Sequence, residues 1–481
     1  MNLQLLCIGL FYAMMVVAGL WAARSERRTA TFEGMLLADR RLPLWVGAFT
    51  MTATWVGGAY INGTAEAVYA PHSGLVWAQA PWCYALSLIL GGTVFAVRMR
   101  RTGATTLLDP FQQRYGQRVT ALLGIPALIG EVFWAAAILT ALGTTFGTLL
   151  NVNFETSILI SAGVALLYTV IGGLWSVSYT DVLQLSLIAI GLGIAIPSGL
   201  ESAGGGQRLW DAYASQMPGF PRGVAIWKWL DMALLLIFGG IPWQVYFQRV
   251  LASRDDRTAV RLSFIAGIGC LLLACPAVIL GAVGAVATWP AGVAAPQPEL
   301  VLPEVLQHLT NPAVATIGLA AVTAAVMSSV DSSFLSAASL LTQNVYRPLF
   351  RPQAADSELR TVLRGNVLIV GGLATWLALA TQSVYELWYL CSDLVYVLLF
   401  PQLTLVLFCR WTTPCGAICG VLVGLFLRLG GGEPTLGLPA FLDYPLQTPD
   451  GCLFPFRTVA MLSSLATIAA VSWLDNARRR S

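Results

Sequence analysis

The chain is a succession of long apolar runs separated by short polar loops that carry most of its arginines. A run of about 20 apolar residues is long enough for a helix to cross the hydrocarbon layer of a bilayer. Such runs fall near residues 3–22, 44–69, 75–97, 119–149, 156–174, 179–199 and 229–251, then near 262–288, 313–345, 364–381, 384–408, 413–430 and 456–475. The pattern predicts an all-α polytopic membrane protein with thirteen transmembrane helices.

Two of these runs carry helix-breaking clusters in their middles. One reads Thr52-Ala53-Thr54-Trp55-Val56-Gly57-Gly58-Ala59-Tyr60, the other Gly239-Gly240-Ile241-Pro242-Trp243-Gln244. A break frees backbone groups at mid-membrane depth, which is tolerated only where they line a cavity or hold an ion. With the first run counted as an extra helix, the breaks fall in the first and sixth helices of a ten-helix set. Matching breaks in two five-helix halves predict an inverted repeat with cargo bound between them, the plan of a secondary transporter. The expected organisation within one transporter domain (1–481) is an extra N-terminal helix over 1–25, a first repeat over 42–199, a second over 226–410, and two C-terminal helices over 411–476.

Composition agrees with a lipid solvent. Hydrophobic residues make up 57% and charged residues 11% of the 481 positions, against roughly 25% charged in soluble domains. The net charge of +3 comes with no basic face or stripe, so a nucleic-acid partner is not expected and membrane lipid is. Arginine placement sets an orientation. With the N-terminus outside and the C-terminus inside, the inner loops collect 22 of the 27 basic residues, Arg249 counted among them. Two histidines, His72 and His308, with no nucleophile–base or metal-ligand pattern around them, argue against an enzyme. The nine cysteines lie mostly in apolar runs and predict no disulfide framework. Trp227, Trp229, Trp376 and Trp388 lie near span ends and suit an interfacial aromatic belt.

Several strings together resemble the choline-carrying branch of the sodium/solute symporter family. They are Trp55 to Tyr69, Leu108-Asp109-Pro110-Phe111-Gln112-Gln113, Glu131-Val132-Phe133-Trp134-Ala135-Ala136-Ala137, the Gly239–Gln244 break, Met327-Ser328-Ser329-Val330-Asp331-Ser332-Ser333, and Ser392-Asp393-Leu394-Val395-Tyr396. The resemblance implies a leucine-transporter-type fold and uptake of choline across the plasma membrane, or a synaptic or vesicular membrane, by alternating access. It implies sodium coupling and chloride dependence, and no feature of the sequence places the chloride. A symporter for another quaternary amine or organic cation stays open, as does a ligand sensor that does not transport.

Choline is a permanent cation whose trimethylammonium head has no N–H to donate, so aromatic faces are its usual ligands. Trp55 and Trp243 stand at the two breaks, and the resemblance adds Tyr84 and Trp134 to the cage. Carboxylates within spans are functional candidates by default because a charge at that depth is costly. They are Glu66, Glu131, Asp181, Asp231, Asp331 and Asp393, and Asp231, ahead of its break, is the candidate to attract the cationic head. Ser329, Ser332, Ser333 and Ser336 recur at helical spacing as one polar stripe. By resemblance, Ser328 and Ser329 hold sodium together with the carbonyls of Ala53, Val56 and Ala325, and a second sodium maps onto Asp181.

Overall fold

The computed structural model describes residues 3–25, 31–150, 153–380, 390–433, 437–448 and 451–479. The first half contains α1 (Leu3–Ser25), α2 (Leu44–Trp55), α3 (Gly58–Tyr69), α4 (Ala80–Leu90), α5 (Gln117–Leu150) and α6 (Phe154–Ser202). The second contains α7 (Ala225–Gly239), α8 (Gln244–Ala252), α9 (Asp256–Val286), α10 (Pro312–Leu340), α11 (Asp356–Ala380), α12 (Leu390–Phe408), α13 (Pro414–Gly430) and α14 (Phe456–Arg478). A short antiparallel hairpin, β1 (Gln447–Thr448) with β2 (Gly451–Cys452), joins the last two helices.

Nine helices among the described residues are long and apolar enough to cross a membrane. The difference from thirteen predicted spans has a physical reason at each place. The first and twelfth predicted spans are shorter apolar helices, Gly9–Arg24 and Pro414–Gly430. The 44–69 run is divided into the 12-residue halves α2 and α3. Two further runs are continuous in α6, a 49-residue helix that bends at Gly173. At 1.5 Å per residue a straight helix of that length would measure about 74 Å, more than twice the hydrocarbon thickness. Gly173 makes the bend with φ 55° and ψ −145°, a backbone state open essentially to glycine alone.

Burial is the reverse of a water-soluble protein's. Leu10, Trp21, Trp45, Leu272, Trp376 and Trp473 are exposed, whereas Thr50, Thr54, Asp331, Ser332 and Arg249 are fully buried. Lipid covers apolar surface at little cost, so the polar groups gather inside where they satisfy one another. The centre is α10, in which every residue from Ala321 to Leu340 is buried. It packs on α5, α6 and α11 and on the broken pairs α2/α3 and α8. Helices α13 and α14 pack on each other and on α12 at one side. Asp255 starts α9 by accepting the Thr258 N–H at 2.7 Å, a bond that also holds its carboxyl below the usual carboxylate range.

Two expectations change. Arg249, counted with an inner loop, belongs to α8 and is completely buried. Of the belt tryptophans, Trp227 and Trp376 are exposed, but Trp229 stacks on Trp82 at 5.5 Å and donates its indole N–H to the Val76 carbonyl at 2.8 Å. Trp388 lies outside the described residues. The eight cysteines from Cys83 to Cys452 are free.

Candidate binding site at the two helix breaks

The breaks bring the chain close to its neighbours, and glycine is what permits the approach. A Cβ on Gly57 would lie 2.0 Å from Ser329 Oγ, and one on Gly58 would lie 2.3 Å from Val326 Cγ2. At the second break, a Cβ on Gly240 would lie 2.5 Å from Ser87 Oγ, and one on Gly239 would lie 3.0 Å from Tyr396 Cβ. The first break is thereby seated on α10, the second between α4 and α12. Pro242 lacks the N–H needed to continue α7, and the chain restarts with Trp243 as the N-cap of α8.

A cavity opens between the breaks. Trp55, Tyr84, Trp134 and Trp243 all line it, together with Tyr60, which the sequence reading had passed over. Among the described residues, none that lines it is charged. The rings are held by packing and by backbone bonds. Trp243 donates its indole N–H to the Gly239 carbonyl across the break at 2.8 Å and meets Trp134 edge to face with centroids 5.5 Å apart. Tyr60 lies 6.2 Å from Tyr84 and donates its hydroxyl to the Cys270 carbonyl. Trp55 meets Tyr246 edge to face at 6.0 Å. Such rings offer π faces to a cation without rotating to reach it.

Ser329 also lines the cavity and belongs to an oxygen cluster between α2 and α10. Ser328 Oγ lies 2.9 Å from the Ala53 carbonyl and 3.0 Å from the Ala325 carbonyl. Ser329 Oγ lies 2.9 Å from the Thr54 carbonyl. The Val56 N–H continues α2 by bonding the Thr52 carbonyl. These are hard, neutral oxygens converging at a helix end, where Gly57 lets the broken helix approach Ser329 closely. The donor set fits a sodium ion carried as cargo.

Asp181 lies beneath this cluster, fully buried. Its Oδ2 accepts from the Thr50 hydroxyl and stands 3.5 Å from Nη2 of Arg249. The same guanidinium donates to Ser332, and the neighbouring Asp331 accepts the Tyr168 hydroxyl at 2.6 Å. One oxygen of each carboxylate, Asp181 Oδ1 and Asp331 Oδ1, has no hydrogen-bond partner.

Asp231 is elsewhere. It does not line the cavity; its Oδ1 accepts from the backbone and hydroxyl of Thr458 on α14 at 2.7 and 2.6 Å, and Oδ2 is 3.7 Å from Arg457. Arg457 also donates to Asp393 on α12 at 2.9 Å, and Asp393 accepts from Arg428 on α13, which bonds Glu433 as well. This buried network ties α7 and α12 to the two C-terminal helices. A carboxylate committed to two partners there is in no position to meet a ligand head in the cage, which is the correction to the expectation for Asp231.

Comparison with known proteins follows the same lines. Residues 35–424 match the sodium:solute symporter family. The chain is 48% identical over 490 residues to the human High affinity choline transporter 1, covering 98% of this chain and 84% of that one. It is 47% identical over 493 residues to the High-affinity choline transporter 1 of Caenorhabditis elegans, covering 98% and 85%. Among solved structures, a Na+-coupled sialic acid symporter in a substrate-bound, outward-open state superposes with a TM-score of 0.81 over 98% of both chains at 15% identity, a likeness of fold. The chain belongs to the sodium:solute symporter family.

Proposed function

We propose that this protein is a sodium-coupled choline symporter, and the observation that carries the reading is the cavity walled by Trp55, Tyr84, Trp134 and Trp243, which Ser329 also lines and which has no charged lining residue among the described residues. Each ring–cation contact is worth ~0.5–2 kcal/mol, the upper value applying in a dry site. Three or four rings supply ~4–6 kcal/mol of the ~8 kcal/mol that micromolar binding requires. Tyr60 adds a fifth aromatic side chain to the lining. Sodium bound by Ser328, Ser329 and the carbonyls at the end of α2 would couple to choline through the break, because one short stretch of chain contributes to both sites. The 48% identity to the human High affinity choline transporter 1, spread over 98% of this chain, favours this cargo over another quaternary amine.

The wider reading rests on the same features. Two five-helix repeats, 42–199 and 226–410, are supported by the paired breaks, and thirteen spans with the C-terminus inside are supported by the arginine-rich loops. The bend of α6 at Gly173 separates two spans within one helix. The unpartnered oxygens of Asp181 and Asp331 and the Ser178 hydroxyl are suitable donors for a second sodium. Chloride dependence and residence in the plasma membrane complete the proposal; replacing chloride by gluconate in an uptake assay tests the former.

The deciding experiment compares choline with 3,3-dimethylbutan-1-ol, a neutral molecule of the same shape, as competitors for radiolabelled choline uptake into vesicles with and without a sodium gradient. Wild type should take up choline only with inward sodium and prefer it strongly over the isostere. Trp55→Ala or Trp243→Ala should narrow that preference. Equal competition by the neutral molecule in wild type refutes the cage.

A further inference from the structure

Glu131 is a buried acid beside the cage. It lies on α5 three residues before Trp134, about one helical turn toward the Arg118 end. Its side chain is 1% exposed, and neither carboxylate oxygen accepts a hydrogen bond. It faces the Ser336 hydroxyl on α10, itself without a partner, and the N–H groups of Gln244 and Val245 at the start of α8. Those N–H groups are the free donors of a helix N-terminus, which favours an anion. Val245 and Trp243 both line the cavity, and on the same turn of α5 a Cβ on Gly130 would stand 3.7 Å from the Trp243 ring. Glu131 therefore sits behind the wall formed by Trp134, Trp243 and Val245.

The other acids of this interior are engaged. Asp181 has Arg249 and Thr50, and Asp331 has the Tyr168 hydroxyl.

We propose that Glu131 is the charge-specificity residue of the choline site: from behind the aromatic wall it supplies the field that favours a cation over a neutral molecule of equal shape, without touching it. The inference rests on the choline reading above. Coulomb attraction falls only as the inverse of distance, so one layer of rings in a low-dielectric interior does not abolish it. The aromatic faces then select the trimethylammonium group by contact, and the carboxylate selects its charge.

The test measures inhibition constants for choline and 3,3-dimethylbutan-1-ol, together with the sodium concentration for half-maximal uptake, in wild type, Glu131→Gln and Glu131→Asp. Their ratio is independent of how much protein reaches the membrane. A unit charge removed from one ring layer away should cut the choline preference of Glu131→Gln by on the order of tenfold. Glu131→Asp should retain most of it, and sodium dependence should change little in either. A Glu131→Gln protein with the wild-type preference overturns the proposal, as does a Glu131→Asp protein that loses as much as Glu131→Gln. Glu131→Ser is the second neutral variant; if neither neutral variant accumulates while Glu131→Asp does, the carboxylate serves folding and the proposal falls. A wild type without any preference would instead refute the choline cage itself.

Discussion

Replacing Gly57 by alanine tests whether the first break and the serines of α10 form one ion site. Gly57 is the N-cap of α3 with φ −81° and ψ 179°, an extended conformation that alanine adopts without strain. The backbone of the unfolded chain would even favour the substitution by about 0.4–1 kcal/mol. The added Cβ, however, would stand 2.0 Å from Ser329 Oγ and 3.0 Å from Ser329 Cβ. Carbon atoms prefer about 3.5–4.0 Å, so more than an ångström must be made up. Either the Ser329 hydroxyl swings away from the Thr54 carbonyl or the break lifts from α10. Overpacking of this kind costs about 1–3 kcal/mol. If the cost falls on the closed ion site, the sodium concentration for half-maximal uptake rises roughly five- to 150-fold, since about 1.4 kcal/mol is a factor of ten. The assay is choline uptake against external sodium, normalised to protein in the membrane. Gly63→Ala on the same half-helix is the control, because nothing lies within 4 Å of its added Cβ; it should leave sodium dependence unchanged. A Gly57→Ala protein that reaches the membrane with wild-type sodium dependence would refute the placement of the ion against Ser329.

Two further substitutions probe the frame. Gly173→Ala puts a side chain at φ 55°, ψ −145° with its Cβ 2.5 Å from the Met35 carbonyl oxygen; backbone strain alone costs about 1–3 kcal/mol, so the purified protein should melt several degrees lower, and an unchanged melting temperature would mean the bend is not built on glycine. Arg428→Met removes the cation between Asp393 and Glu433; breaking one side of a buried pair costs about 3–5 kcal/mol, near the lower figure here because Arg457 still serves Asp393, and a melting curve equal to wild type would show the network to be dispensable.

What was legible in the sequence was whatever is written in neighbouring residues. Runs of apolar side chains announce membrane helices because the solvent is the same along the whole run. The breaks were legible too, since Gly57-Gly58 and Gly239-Gly240 with Pro242 are local helix-breaking clusters in the middle of apolar runs. Trp55 and Trp243 could be placed at the cavity from these breaks alone, whereas Tyr84 and Trp134 came from resemblance, and Tyr60 carried no local mark to separate it from a packing residue.

The charges were where local pattern stopped. An arginine near the end of an apolar run reads as a loop cation, yet Arg249 is buried against Asp181, a residue of another helix. Asp231 and Glu131 look alike as lone acids within spans. One is bonded by Thr458 and Arg457 of the last helix, and the other has no hydrogen-bond partner behind the cage. Sequence determined the helices, their breaks and the chemistry available at mid-membrane depth. Only the tertiary structure decided which buried charges neutralise one another and which remain for a cargo, because a charge in a low-dielectric interior is defined by its partners, and those partners come from helices far apart in the chain.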